Sequence, residues 1–116
     1  MINVVIARDA AGTIRSIEIS GHSGYAEAGS DIICSAAAAI SYTAAGALER
    51  LAGLEGCYTT DDGYMLIRLP EKMSEEQRSI ASIIMETAAI GFKQVGFSYA
   101  AYVSVKDEEV RSDDQD

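Results

Sequence analysis

The only histidine of this 116-residue chain, His22, and one of its two cysteines, Cys34, lie close together in the sequence. A cysteine thiolate is a nucleophile, and an imidazole beside it can hold a proton and deliver it to a departing amine. The glycines Gly21, Gly24 and Gly29 make the backbone around and between the two residues conformationally permissive. These residue types therefore fit thiol-dependent hydrolysis, although a lone cysteine is more often a small buried side chain and a lone histidine more often structural.

A long helix is predicted to begin at about Asp31 and to continue to Gly53, because apolar residues recur there every three or four positions. The recurring residues are Ile33, Ala37, Ile40, Ala44, Leu48 and Leu51. Asp31 or Ser30 can serve as the N-cap. If Asp31 is the cap, Cys34 falls in the first turn, where the helix dipole favours a thiolate and the free amides, including that of Cys34, could stabilise an oxyanion. Asp31 could instead orient the imidazole of His22, and both roles stay open at this point.

His22 follows a predicted β-hairpin with strands at residues 2–7 and 13–20. The first segment is rich in β-branched residues, the second alternates apolar and polar side chains, and a glycine is available for the turn. The end of one strand and the start of a helix commonly face each other across the edge of a sheet. The eleven residues 23–33 would then connect His22 at the strand end to Cys34 at the helix start.

The remainder of the chain contains another hairpin, a helix and a final strand. Residues 56–69 are predicted as the hairpin, around an Asp-Asp-Gly turn. Ser74 and Gln77 form a capping box that begins a helix reaching to about Val95. Residues 97–105 alternate and are predicted as the last strand, with the odd-numbered side chains on one face. The order β-β-α-β-β-α-β predicts an α+β fold, in which a mixed or mostly antiparallel five-stranded sheet carries both helices on one face.

Charge and length restrict the classes of function. The length fits one domain, which we predict at residues 1–106. The net charge is −9, and six of the 18 acidic residues lie in residues 107–116, which are predicted to form a flexible acidic tail. A nucleic-acid-binding protein needs a basic face, so direct binding of nucleic acid is not expected, whereas a basic protein partner is compatible with this charge.

Several other classes are disfavoured by composition. Two cysteines do not make a disulfide scaffold, and Cys57, with no histidine nearby in the sequence, is predicted to be structural. A single histidine without Cys-x-x-Cys or His-x-x-x-His spacing predicts no metal site, and nothing indicates a cofactor. The N-terminus reads as a strand rather than a signal peptide, and no uninterrupted apolar run is long enough to cross a bilayer. The expected location is the cytoplasm, without membrane association.

The Gly21-His22 pair, the glycine-containing spacer and the sequence Asp31-Ile32-Ile33-Cys34 at a predicted helix start resemble the ribosomal-processing cysteine protease family. The resemblance spans nearly the whole chain and includes the order of the predicted elements. It implies a cytoplasmic bacterial endopeptidase that acts as a homodimer. Its substrate would be the N-terminal extension of a large-subunit ribosomal protein, removed before or during ribosome assembly.

The resemblance also implies roles for individual residues. Cys34 matches the nucleophile and His22 the base, while Gly21 and Asp31 match other positions of the motif. Gly24 and Gly29 would belong to a loop that moves aside and orders around the substrate.

One position departs from the family pattern. Members commonly carry a serine four residues after the cysteine, where this chain has Ala38. A role that depends on that hydroxyl is therefore in doubt here, although the neighbouring Ser35 could partly replace it. The His22 and Cys34 pair is intact, so an active enzyme is still expected.

Two other functions compete with proteolysis. The chain could be a non-catalytic ribosome-assembly or adaptor module that binds a basic protein segment through its acidic surface. It could also be a redox-sensing protein that uses Cys34. Peptide binding that survives loss of both His22 and Cys34 would favour the first, and partner binding that responds to reversible oxidation of Cys34 would favour the second.

Overall fold

Two antiparallel hairpins and a closing parallel strand form one five-stranded sheet in the computed structural model. The structure describes residues 1–21 and 28–109, with the side chains of residues 1–21 and 32–109. In chain order the elements are β1 Ile2–Arg8, β2 Ile14–Ser20, α1 Ala28–Ala52, β3 Tyr58–Asp61, β4 Tyr64–Arg68, α2 Glu75–Ser98 and β5 Val103–Glu109. The strand order is β3-β4-β2-β1-β5, and only the β1–β5 pair is parallel. The predicted α+β fold with a mixed sheet is confirmed.

Side-chain alternation decides which face of the sheet is covered. Ile2, Val4 and Ile6 of β1 are buried, and Ile17 and Ile19 of β2 lie on the same face because they pair with buried residues of β1. The opposite face carries polar side chains from the alternate positions, including those of Asn3, Ser16 and Glu18. Both helices therefore pack on the apolar face, since burying that face stabilises the fold most.

The two helices pack closely against each other. On α2, buried residues recur at helical spacing and form one stripe: Ala81, Met85, Ala88, Ala89 and Phe92. Small residues let the backbones approach, and a Cβ added at Gly91 would lie only 3.2 Å from Cδ1 of Ile40 on α1. Residues Ile32–Ala52 and helix α2 are each long and apolar enough to span a bilayer by length and composition, a test that core helices also pass. Here both helices pack on the sheet and on each other.

The capping box at the start of α2 is confirmed. The Ser74 hydroxyl accepts from the Gln77 N–H at 3.1 Å, and the Gln77 side chain accepts from the Ser74 N–H at 3.0 Å. The predicted end of this helix at about Val95 is wrong, because α2 continues to Ser98.

The predicted last strand, residues 97–105, is correspondingly wrong in its first half. Phe97 is helical and 89% exposed, and β5 begins only at Val103. Contact with the sheet explains the difference. A Cβ added at Gly96 would lie 2.8 Å from Cγ2 of Val105, so the last turn of α2 lies directly on β5. The chain reverses over residues 99–102, where the Tyr102 N–H donates to the Tyr99 carbonyl at 2.8 Å.

A charge cluster fixes β5 to β1 and α2. Arg8 donates to Asp107 at 2.7 Å and to Glu86 at 2.6 Å, and Lys93 donates to Asp107 at 2.6 Å. The hydrogen bonds that Asp107 accepts, that from Arg8 foremost and then that from Lys93, lower the pKa of Asp107 from 3.8 to about 2. β5 thus extends to Glu109, three residues into the segment predicted as a tail, while residues 110–116 lie outside the described residues.

Candidate active site

A cleft of about 300 Å³ lies between α1 and the end of the sheet. The sheet contributes side chains from β1, β2 and the β3–β4 hairpin, and α1 contributes one face of its N-terminal half. The lining residues are Ile2, Ile19, Gly21, Cys34, Ala37, Ala38, Ser41, Tyr42, Thr60, Asp61, Gly63, Tyr64 and Met65. The cleft therefore combines one thiol with walls that are mainly apolar and a polar rim at the hairpin.

Cys34 reaches the cleft from the second turn of α1. The helix begins at Ala28, so Ser30 and Asp31 are helical residues, and the prediction that one of them caps the helix is wrong. Alanine at the start is a strong helix former, which lets the first turn form ahead of both polar residues. The N–H of Cys34 lies beyond the first turn and is not one of the free amides, so its predicted part in an oxyanion site is wrong as well. The thiol is half-buried and packs against the core.

Gly21, at the end of β2, lines the same cleft as Cys34. Its N–H donates to the Gly63 carbonyl at 2.8 Å, which ties the end of β2 to the β3–β4 turn. Its φ is +91°, and an added Cβ would lie 2.4 Å from the Met1 carbonyl oxygen, so the position requires glycine. Gly21 directly precedes His22 in the chain.

The structure leaves part of the predicted site untested. His22 and Gly24 lie outside the described residues, as does the side chain of Asp31, so the pairing of His22 with Cys34 and the orienting role of Asp31 stay predictions. Gly29 lies within α1 rather than in a loop, which contradicts its predicted place in a flexible segment.

The structure shows which serine hydroxyl lies near Ala38, the position where family members commonly carry a serine. Ala38 lines the cleft one turn after Cys34, whereas Ser35 is exposed and is not among the cleft-lining residues. The hydroxyl that does line the cleft belongs to Ser41, which is buried and donates to the Ala37 carbonyl at 2.8 Å. Ser41 was not singled out from the sequence, although its spacing from Cys34 would place it on the same helix face.

Two tyrosines, Tyr42 and Tyr64, are among the cleft-lining residues, and Tyr58 packs against Tyr42. Tyr42 of α1 and Tyr58 of β3 have ring centroids 5.5 Å apart, and a hydrogen bond with Tyr42 raises the pKa of Tyr58. The Tyr64 side chain lies on the helix-free face of the sheet, where it donates to a Glu18 carboxylate oxygen at 2.7 Å, and this bond raises the pKa of Tyr64.

The second cysteine is separate from the cleft. Cys57 is buried beside the start of β3, and its thiol lies 4.0 Å from the Leu54 carbonyl. Burial raises the pKa of the Cys57 thiol and so disfavours the nucleophilic thiolate. Its geometry agrees with the predicted structural role.

Comparison with known proteins finds one family over most of the chain. The model of the family described as cysteine protease Prp matches residues 1–104. A ribosomal processing cysteine protease Prp from Bacillus subtilis (strain 168) is 31% identical over 101 residues, which cover 85% of this chain and 90% of the relative.

Solved structures share the fold. SMU.848 from Streptococcus mutans superposes with a TM-score of 0.83 at 28% identity, covering 95% of this chain and 96% of that one. An essential ribosomal processing protease Prp from S. aureus, solved in complex with a substrate peptide, has a TM-score of 0.78 at 22% identity. That comparison covers 93% of this chain and the whole of the S. aureus chain.

Proposed function

The chain belongs to the Prp family of cysteine proteases, and we propose that it removes the N-terminal extension of a large-subunit ribosomal protein during ribosome assembly. One observation carries the assignment of the site. Cys34 is half-buried in a cleft that is also lined by Gly21, the residue before His22. The name of the Bacillus subtilis relative supports ribosomal processing as the role.

In the proposed mechanism the Cys34 thiolate attacks the scissile carbonyl carbon, and His22 carries the proton. When the tetrahedral intermediate collapses, the carbon–nitrogen bond breaks and His22 protonates the departing amine, which leaves a thioester on Cys34. Water then attacks the thioester as His22 accepts its proton. The carbon–sulfur bond breaks, the carboxylate product leaves and the thiolate is restored.

The decisive experiment compares the two cysteines. Purified protein is incubated with the extended ribosomal protein of the same organism, and the products are identified by mass spectrometry. Cys34→Ala should abolish cleavage, whereas Cys57→Ala should retain it, because Cys57 lies outside the cleft. Normal cleavage by a folded Cys34→Ala variant would refute the mechanism.

The role of His22 needs a separate variant. His22→Ala should lower kcat by at least about 100-fold, since positioned acid–base catalysis typically contributes that much. Tight peptide binding that persists after loss of both His22 and Cys34, without any product from the wild type, would instead favour the adaptor function.

We also propose that the protein forms a homodimer through the outer faces of its helices. An apolar groove of about 440 Å³ runs between α1 and α2, and Ile83 and Ile90 are exposed at 68% and 57%. Exposed apolar patches of this kind are typical of association sites. Light scattering should give twice the 12.3 kDa chain mass. The double variant Ile83→Glu/Thr87→Glu, which charges two groove-lining residues, should be monomeric, whereas Lys72→Glu, which lies before the start of α2, should not. A monomeric wild type at micromolar concentration would contradict the proposal.

The proposed location is the cytoplasm, where ribosomes assemble and where both cysteines, which are free in the structure, would stay reduced. Fractionation of cells that express the protein should recover it with the soluble fraction, and recovery with the membranes would contradict this.

A further inference from the structure

The two edges of the sheet differ in how they are protected. β5 forms one edge and carries four consecutive charged residues, 106–109, which discourage pairing with another chain. β3 forms the other edge and begins with the uncharged, strand-favouring residues Tyr58, Thr59 and Thr60. In the described part of the chain, β3 pairs with β4 alone. The β3 edge is thus the one suited to accept an additional strand.

The hydrogen-bond register shows which backbone groups of β3 face outward. The Arg68 N–H donates to the Cys57 carbonyl at 2.8 Å, so these two residues form a hydrogen-bonded pair across the hairpin. In an antiparallel ladder such pairs alternate with pairs whose N–H and C=O groups point away. With Tyr58 opposite Ile67 and Thr60 opposite Met65, the backbone groups of Tyr58 and Thr60 point to the open edge.

This edge adjoins the cleft that contains Cys34. Thr60 lies opposite Met65, on the helix-covered face, and both side chains line the cleft. At the start of β3, the Tyr58 ring packs on Tyr42 of α1. A peptide strand placed beside β3 would therefore run along the mouth of the cleft, with alternate side chains pointing into it.

We propose that the substrate peptide binds as an additional strand on the β3 edge, where its backbone hydrogen-bonds with the outward N–H and C=O groups of Tyr58 and Thr60. The occupant is the extended stretch next to the scissile bond, because only an extended chain can satisfy these groups and continue toward Cys34. Affinity then comes from the main chain and selectivity from the side chains that enter the cleft. The inference rests on the proposed proteolytic function.

An N-methyl scan of the substrate tests this pairing. The probe is a synthetic peptide that comprises the extension of the ribosomal protein and the residues that follow it, with one backbone nitrogen methylated at a time. Its dissociation constant is measured with the Cys34→Ala variant, so that binding is separated from cleavage. Methylation at alternate positions facing β3 should weaken binding by at least about fivefold, through loss of a hydrogen bond and a steric clash. The intervening positions, whose N–H groups face away, are matched internal controls.

A protein variant provides the second measurement. Thr60→Pro removes one outward donor but no bond to β4, a change that an edge strand tolerates. It should raise KM or the dissociation constant by at least about fivefold with little change in kcat, while urea unfolding shows the fold intact. If Thr60→Pro does not fold, the methyl scan alone decides.

The outcomes separate the two proposals. Alternation in the scan, with cleavage by the wild type, supports both. Alternation without cleavage would refute the proteolytic function and retain the pairing. Cleavage with uniform effects of methylation, or with an unchanged dissociation constant for folded Thr60→Pro, would overturn the pairing and retain the protease. Absence of binding would overturn the pairing as well.

Discussion

Replacement of Gly21 by alanine is expected to disturb both stability and the cleft, and the chain offers a matched control at Gly12. The two glycines have nearly the same φ, +91° and +89°. Each alanine should therefore cost about 1–2 kcal/mol for occupying the left-handed region. A Cβ added at Gly12 meets nothing within 4 Å, whereas at Gly21 it would lie 2.4 Å from the Met1 carbonyl oxygen. The difference between the two variants isolates that contact.

The additional loss of stability in Gly21→Ala depends on which residue shifts to relieve the contact between the new Cβ and the Met1 carbonyl oxygen. Relief of the contact requires a shift of Met1 or of Gly21. The first shift disturbs the entry to β1, where the Ile2 N–H donates to the Tyr102 carbonyl at 2.8 Å. The second disturbs the bond from Gly21 to Gly63, also 2.8 Å. Loss of one such hydrogen bond costs about 1 kcal/mol, so Gly21→Ala should lower the free energy of unfolding by about 2–3 kcal/mol in total.

Urea unfolding of both variants measures the difference directly, with equal slopes confirming that only stability has changed. The Gly21→Ala protein that remains folded should also cleave the peptide more slowly than the wild type, because the substitution displaces the residue before His22. The Gly12→Ala protein should cleave at the normal rate. Equal destabilisation by the two alanines would refute the reasoning, since it would show that the contact with Met1 carries no cost.

Three further expectations follow from burial and charge. Iodoacetamide should label Cys34 before Cys57 at neutral pH, because Cys57 is buried and its pKa is raised; equal rates measured by peptide mapping would contradict this. Asp107, whose pKa is lowered from 3.8 to about 2, contributes stability that is complete above pH 3.8 and disappears as the pH falls through 2. Asp107→Asn should therefore cost on the order of 1 kcal/mol at neutral pH, after screening by solvent, and the cost should shrink in urea titrations as the pH falls below about 4; a constant difference would argue against the ion pairs. Phe92→Ala should cost about 3–5 kcal/mol and Phe97→Ala less than about 0.5, because their exposures are 1% and 89%; a large cost at Phe97 would favour the predicted strand over the helix.

Most of the element order could be predicted because its signals are local. A run rich in β-branched residues is enough to predict β1, alternation over a few residues predicts β2, and the Asp-Asp-Gly turn places the β3–β4 hairpin. The capping box at Ser74 marks the start of α2 with side chains that bond within one turn. None of these features depends on residues far away in the chain.

The errors occur where local patterns are ambiguous and tertiary contacts decide. Ser30 and Asp31 are good N-caps, but they are also tolerated inside a helix, and α1 begins at Ala28 instead. The second error is the start of the last strand, because alternation from residue 97 onward favours a strand there. The packing of Gly96 on Val105 holds those residues in the last turn of α2 and moves the strand start to Val103.

In the candidate site, too, some features could be predicted from local sequence patterns and others depend on tertiary contacts. His22 and Cys34 could be selected by residue type and spacing, and the first cleft wall follows from helix periodicity after Cys34. The second wall could not be inferred, because it depends on β4 pairing with β2 rather than with another strand. That pairing brings residues 60–65 to the side of the sheet that faces Cys34.

This arrangement also changes the meaning of Ala38. In the sequence alone, Ala38 stands out because it lacks the hydroxyl that members of the family commonly carry at this position. In the structure it lies between Cys34 and Tyr42 on the wall of the cleft, opposite side chains of the β3–β4 hairpin. A methyl group there takes less space than a hydroxymethyl group, and Ser41 already lines the same wall. On the proposed pairing with β3, Ala38 would contribute room for the substrate side chains that enter the cleft.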